Sequence, residues 1–337
     1  MASDAPRGYV VLAAYRPDPE LFRRQLLSIQ AQTLEGFGCI VTADGEPAVV
    51  ETLVREIVGD DERFRVIGFE DRSGFYGNFE RGVTAVPADA AWIALSDQDD
   101  YWYPTKLATL VPHLEHAAVV AGQARVVTYP EGRVIAPTTG RKDVAPLAFF
   151  LDNQFTGGQM VFRRDVLDVA LPFPRLSTPA EVHDHWLAVC GAAIGGARVV
   201  DEVVQDYVQH GNNVIGESTG GISLRRSVGT ARSIARRFEG TDGVAGILRA
   251  TYRVGVGWRE TMAEALATRL PGNPTAERAL RLYGAGRSGV RTARTVIGMA
   301  RRGHVSHRSA LEYLAGGVAG ALVRIRRESD RAVVRDA

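Results

Sequence analysis

Two cysteines in 337 residues, Cys39 and Cys190, leave no disulfide framework and no zinc-type spacing. Each lies inside an apolar stretch, so both read as small buried hydrophobes in a reducing, cytoplasmic compartment. The amino terminus, MASDAPRGYVVLAAYRP, has no basic segment leading into a long apolar run, so no signal peptide is expected. No run approaches the roughly 18 apolar residues that span a bilayer. The nearest, LAGGVAGALV at 314–323, is too short. Two phosphate-binding signatures are also missing. There is no G-x-x-x-x-G-K-[ST], and no G-x-G-x-x-G follows the first apolar run, which argues against P-loop and dinucleotide chemistry.

Net charge is small, +1, but unevenly spread. Residues 221–337 hold 22 arginines, no lysine and nine acids, whereas the residues before them hold 18 basic and 30 acidic side chains. An acidic first part followed by a basic last third points to an anionic partner or surface.

Apolar runs alternate with helical patterns from the start. YVVLAAY (9–15), GCIVTA (38–43), FRVIGF (64–69) and AWIALS (91–96) read as buried strands. Between them, ELFRRQLLSIQAQT, PAVVETLVREIVG and NFERGVTAV read as helices; in the first, Phe22, Leu26, Ile29 and Thr33 form the mostly apolar stripe. Four alternations imply a parallel sheet covered on both faces, a doubly wound α/β architecture with 45% hydrophobic residues to fill its core. Beyond 117, AVVAGQARVVTYPEGRVIAP reads as a strand pair. GQMVFRRDVL (158–167) is expected to enter a helix, EVHDHWLAVCGAAIGG is a helix, and ARVVDEVVQDYVQHGNN gives one or two strands. From 220 onward only helices are expected.

In such sheets ligands sit beyond the carboxyl ends of the strands. Tyr15, Asp44 and the run Asp97-Gln98-Asp99-Asp100 all follow immediately after a strand. Three acids at the mouth of a hydrophobic strand are not a packing requirement. They fail as an EF-hand loop, since the sixth and twelfth positions from Asp97 are Trp102 and Ala108. A D-x-D instead holds a hard divalent cation through one or two carboxylates and leaves positions for phosphate oxygens.

AAYRPDPELFRRQLLSIQAQT, TADGEP, GNFERGV, ALSDQDDYWYPTKL, NQFTGGQMVFRRDVL, VHDHWLAV and YVQHGNNVIG occur in the order found in family 2 glycosyltransferases. Over residues 8–217 the chain resembles that family, in particular bacterial members called rhamnosyltransferases. The resemblance implies a GT-A fold, a Rossmann-like doubly wound mixed sheet over residues 1–218, with a helical, arginine-rich extension over 219–337. It implies an inverting, metal-dependent transfer from a nucleoside-diphosphate sugar, with dTDP-rhamnose one such donor, to a hydroxyl acceptor. Ala14, Tyr15 and Asp44 would bracket the nucleobase, with Asn78 and Arg81 near the ribose or diphosphate. Asp97 and Asp99 would form the D-x-D, Asp99 being the direct ligand of Mn²⁺ or Mg²⁺. Asp184 stands at the place of the catalytic base, after His183 where many members have glutamate. His210, with Asn212 and Asn213, would close over the metal and diphosphate, and Gly157-Gly158 would let backbone approach the donor sugar.

Plainer readings stand beside these: Tyr15 as a strand-end aromatic, Asp44-Gly45 as a turn pair, Asn78 and Arg81 as a solvated helix face, Asp184 as a helix cap. His183 and His185, two apart, do not share a helix face, which disfavours a zinc pair. A sugar nucleotidyltransferase would carry a glycine-rich basic loop where this chain has AAYRPDPEL; a non-catalytic nucleotide-sugar-binding scaffold would tolerate loss of Asp99, Asp184 or His210, and all three are present. In the last third, Arg287, Arg291, Arg294, Arg301 and Arg302 recur beside a stripe of Val290, Ala293, Ile297 and Ala300. Such helices either pack on the acidic part or on a second subunit, or lie on an anionic membrane, which would place the protein peripherally at the inner face of the cell membrane. Nucleic acid is the poorest partner, because no aromatic reading surface accompanies the arginines.

Overall fold

The computed structural model describes residues 8–176, 180–210, 224–287 and 289–323. The four apolar runs become parallel strands β1 (Gly8–Ala14), β2 (Phe37–Asp44), β3 (Phe64–Phe69) and β4 (Trp92–Ser96), in spatial order β3-β2-β1-β4. Between them run α1 (Pro19–Gln30), α2 (Pro47–Val58) and α3 (Gly74–Thr84). Helix α1 starts where Pro19 occupies the first turn and Asp18 accepts from the backbone N–H groups of Glu20 and Leu21, at 3.0 and 3.1 Å.

Both sheet faces are covered, and single residues show why. Val10, Leu12 and Ala14 of β1 share one cluster with Phe22, Leu26 and Ile29 of α1 and Val50, Val54 and Val58 of α2. Val11, pointing the other way, meets Gly82 of α3, where a Cβ would stand 2.4 Å from its side chain. That glycine allows α3 to lie close on the opposite face.

After β4 come the two-residue β5 (Tyr101–Trp102), the short α4 (Lys106–Leu110), and β6 (Val119–Thr128) hairpinned to β7 (Val134–Ala136). The expected helix at 158–167 is instead a 3₁₀ turn (Gly157–Gln159) followed by a strand. Met160–Arg163 pairs antiparallel with both β4 and β6. A run as short as Met-Val-Phe carries no decisive period, and the vacancy between two strands settles it.

Two compact units emerge. The first draws on 1–143, 154–171 and 190–218, and the second on 144–153, 172–189 and 219–337. In the second lie α5 (Pro146–Phe149) and the start of a later helix, His183–Ile194, before which the first unit contributes α6 (Val166–Ala170) and, as β8, the strand Met160–Arg163. The later helix is α7, and β9 (Ala197–Gln209) then runs parallel to β6 and antiparallel to β5, completing a mixed sheet. The remainder of the second unit is α8 (Leu224–Glu239), α9 (Val244–Tyr252), a π turn (Arg253–Gly257), α10 (Trp258–Arg269), α11 (Pro274–Tyr283), α12 (Val290–Arg301) and α13 (His307–Val323). Segment 144–153 belongs there because Arg259 donates to the carbonyls of Phe150 and Leu151, at 3.1 and 3.2 Å, and the Tyr283 hydroxyl donates to that of Leu147, at 2.8 Å.

Helix α12 is amphipathic, but in a different rotation from the sequence reading. Thr292, Val296, Met299 and Ala300 are its buried residues, while Val290 and Ile297 stay in solvent among the arginines. Among the described residues no helix is long and apolar enough to cross a membrane.

Candidate active site

The acidic run leaves the carboxyl end of β4 and is tied down from two sides. Beyond the last β1–β4 ladder pair, Gln98 continues the pairing with its side chain: Oε1 accepts from the Tyr15 N–H at 2.7 Å and Nε2 donates to the Tyr15 carbonyl at 3.2 Å. From α1, Gln25 donates to the Ser96 hydroxyl (2.8 Å), which donates to the Asp97 carbonyl (2.9 Å). Ser28 accepts from the Trp102 N–H (3.1 Å), and Gln32 bonds the Tyr103 carbonyl and the Leu107 N–H (2.9 and 3.0 Å). The polar stripe of α1 is therefore buried too, and it holds the loop that carries the acids.

Strand β9 supplies the other side. Its Val208 N–H donates to Asp100 Oδ1 (3.1 Å), and Gln205 Nε2 donates to Asp100 Oδ2 (3.0 Å). Two residues on, His210 Nε2 lies 2.7 Å from Asp99 Oδ2. An antiparallel ladder between β5 and β9 thus brings a histidine onto a carboxylate 111 positions earlier.

Behind the acids lies Lys106, fully buried. Its ammonium donates to Gln205 Oε1 (2.7 Å) and to the Gly158 carbonyl, and sits 3.5 Å over the Trp102 ring. Gln205 relays between the lysine on its oxygen and Asp100 on its nitrogen. Burial pushes the Asp100 carboxyl well up, with Asp99 and Asp97 adding to the rise. Burial pushes Lys106 well down, partly offset by Asp100 and Asp97. Gly158 closes the cluster: a Cβ there would stand 3.0 Å from Asp100 Oδ2, 3.2 Å from Gln205 Nε2 and 3.5 Å from Asp97 Oδ2. The glycine makes room for the acids themselves.

On the neighbouring rim, Ala14 ends β1 fully buried, and Tyr15 lies half-buried beneath the guanidinium of Arg72, 3.9 Å from the ring centroid. Arg16 and Glu46 both take left-handed backbone, φ 41° and 51°, and form an exposed ion pair at 3.1 Å. Non-glycine residues in that region are strained and concentrate where function constrains the chain. Asp44 is buried. It accepts from the Ser73 and Gly74 N–H groups at 2.7 and 2.8 Å and from Arg81 at 3.4 Å, anchoring the entry to α3. Asn78 is buried with its whole amide on Thr42: the Thr42 hydroxyl donates to Oδ1 (2.7 Å), and Nδ2 donates to the Thr42 carbonyl (2.9 Å). Asn78 thereby binds α3 to β2 beside the rim.

Asp184 belongs to the second unit, near the start of α7. Its Oδ1 accepts from Asn153 Nδ2 at 3.0 Å and from the His185 N–H at 2.6 Å. His183 and His185 are buried, and burial lowers each to about 3; His185 Nε2 bonds the Phe149 carbonyl at 2.5 Å. Asn212 and Asn213 lie outside the described residues.

Among the described residues no three His, Cys, Asp or Glu side chains are grouped to hold a metal. Asp99 and His210 nevertheless form a pair of donors, a carboxylate oxygen and an imidazole nitrogen, whose chemistry suits Mn²⁺ with most positions left to phosphate and water.

This strand-end acid loop sits inside a recognisable stretch, since residues 9–169 match the model of glycosyl transferase family 2. That matched stretch is just under half of the chain. The chain is 36% identical over 99 residues to the succinoglycan biosynthesis protein ExoW of Rhizobium meliloti, covering 29% of this chain and 31% of that one. It is 28% identical over 183 residues to the uncharacterized glycosyltransferase YwdF of Bacillus subtilis, covering 52% and 63%. It thus spans less than two-thirds of either relative. Residues 1–349 of S. aureus TarS, crystallised with UDP-GlcNAc, share the fold: TM-score 0.52 at 15% identity, over 94% of this chain and 91% of that one. The mixed sheet has the GT-A fold expected from the sequence, and the stretch that matches family 2 stops short of Asp184 and His210.

Lys106, Gln205 and Gln98 were missed as site residues. A signal existed for the first. Lysine occurs twice in a chain with 38 arginines, and one of the two follows the acids. A compact ammonium can be buried over a ring where a guanidinium fork would not fit.

Proposed function

We propose that this chain transfers a glycosyl group from a nucleoside-diphosphate sugar to a hydroxyl acceptor, with inversion at the anomeric carbon. The observation that carries the reading is the Asp99–His210 pair at the carboxyl end of β4, whose carboxylate lies inside the stretch that matches family 2. Asp97 and Asp99 face the donor diphosphate, and His210 shares its charge with Asp99. Asp99 and His210 would hold a divalent cation, Mn²⁺ or Mg²⁺, which when bound supplies Lewis-acid stabilisation of the departing diphosphate. Two unit charges about 4 Å apart interact by roughly 4 kcal/mol at an effective dielectric near 20, so the charge balance of this loop matters to the leaving group.

Tyr15, with Arg72 stacked on it, offers the rim a flat surface for the nucleobase, and Asp44 and Arg81 shape the loop beside it. Asp184 accepts the acceptor's proton. Its assignment rests on the motif resemblance, and Asn153 and the His185 N–H orient its carboxylate. A positioned base of this kind contributes on the order of 10²–10⁴-fold.

A thermal-shift screen over UDP, GDP and dTDP and their sugars, UDP-GlcNAc and dTDP-rhamnose among them, tests the reading with and without Mn²⁺. The expected result is a metal-dependent rise with one nucleoside diphosphate, lost in Asp99→Ala. If Asp99→Ala keeps the full metal-dependent rise, the assignment of the acid loop fails. Asp184→Asn is expected to keep the thermal shift while product formation collapses.

A further inference from the structure

Helix α13 is packed inside out. The side it buries is made of Ala310, Tyr313, Gly316 and Ala319. Close approach explains that choice. A Cβ on Gly316 would stand 3.0 Å from the Gly255 Cα, and one on Gly320 would stand 2.7 Å from the Tyr252 ring. Three of its bulky aliphatic residues point the other way: Leu311, Val318 and Leu322 are 55%, 62% and 68% exposed, with exposed Ala315 between them. Positions 311, 315, 318 and 322 fall on one helical face, a strip about 16 Å long at 1.5 Å per residue, without a polar side chain. Folding of the unit accounts for the buried face and leaves the aliphatic strip without a purpose.

The adjoining surface has the same character. Helix α12 packs against α13, and its outward residues are Val290 and Ile297, 69% and 38% exposed, set among Arg291, Arg294, Arg301 and Arg302. Arg308 opens the apolar strip of α13. Across residues 287–323 the one acid is Glu312, half-buried and 3.5 Å from Arg259. Exposed aliphatic side chains among arginines, with a single acid that is already paired with Arg259, match an interface that is apolar within and negatively charged at its edge.

We propose that the outer face of α12 and α13 docks on an anionic lipid bilayer, the aliphatic strip entering the acyl boundary and the arginines meeting the headgroups. A second copy applied to the same face by a two-fold axis would set arginine rows against each other, which favours the bilayer as occupant. The inference concerns the second unit and does not depend on the glycosyl-transfer reading.

Co-sedimentation of the full chain with vesicles tests it, comparing phosphatidylcholine alone with phosphatidylcholine mixed with phosphatidylglycerol. Binding is expected on the anionic vesicles at low salt and should fade as salt rises. Arg291→Gln with Arg294→Gln should weaken it by roughly fivefold per arginine removed. Leu311→Glu with Val318→Glu should weaken it at least as much. All four positions face solvent, so circular dichroism and melting should stay as in the parent. The proposal is overturned if the parent does not bind anionic vesicles, or if it binds and neither pair of substitutions weakens binding. It is equally overturned if analytical ultracentrifugation without lipid shows a dimer that the same substitutions split, because the face would then belong to a second copy.

Discussion

Asn78→Ala separates a positioning role from a ligand-contacting one, because the first acts without any ligand. The substitution strips partners from the Thr42 hydroxyl and carbonyl, both in the buried middle of the sheet. Each buried polar group left without a partner costs about 1–3 kcal/mol, and the carbonyl keeps a second lone pair, so a total of about 2–4 kcal/mol is expected. With a urea m-value of about 2–3 kcal/mol/M, the midpoint should fall by about 1 M. Thr42→Val alone removes the hydroxyl that Asn78 accepts from, and the double variant should lose less than the sum, with a coupling above about 1 kcal/mol. The assay is a urea melt of the ligand-free protein followed by circular dichroism. A loss below about 0.5 kcal/mol for Asn78→Ala, or additive single effects, would refute the argument that this amide exists to bind α3 to β2.

Gly158→Ala places a methyl against Asp100, Gln205 and Asp97 and should cost about 1–3 kcal/mol by overpacking. It should also weaken Mn²⁺ binding measured by electron paramagnetic resonance. Unchanged stability and unchanged Mn²⁺ binding would mean that the acids yield freely. The buried histidines predict an acid limb. Burial lowers His183 and His185 from about 6.5 to about 3, so both are neutral in the folded state. Their contribution is intact above pH 6.5 and is lost as pH falls from there toward 3, at up to about 1.4 kcal/mol per pH unit for each. Urea midpoints at pH 7 and pH 5 check this, and His185→Gln should flatten the slope; equal midpoints would show that the imidazoles reach water.

The four parallel strands that open the chain were legible to within a residue, because buried parallel strands are continuous apolar runs closed by glycine, proline or acids. Helix α1, by contrast, ends three residues before its pattern does, and α3 starts four residues ahead of its own. Met160–Arg163 was not legible. Its run is too short to show a period, and only the gap between β4 and β6 makes it a strand. A charge shift marks the last third in the sequence, whereas the recruitment of 144–153 to the second unit is made by Arg259 and Tyr283 from more than a hundred positions away. At the site, the acids were visible as polar residues with no packing reason, whereas Gln25, Ser28 and Gln32 lie off the apolar stripe of their helix and are the supports of the acid loop.

The sequence by itself determined the alternation of strand and helix, the strand-end position of Asp97–Asp100, and the excess of arginine in the last third. These follow from local periodicity and composition. Tertiary structure alone decided that His210 meets Asp99, that Lys106 stands buried behind Asp100 through Gln205, and that α13 turns Leu311, Val318 and Leu322 outward. The pairing of β5 with β9 and the packing of glycines against glycines set those outcomes. Both join residues far apart in the chain, where a pattern of neighbours carries no record of which surfaces will touch.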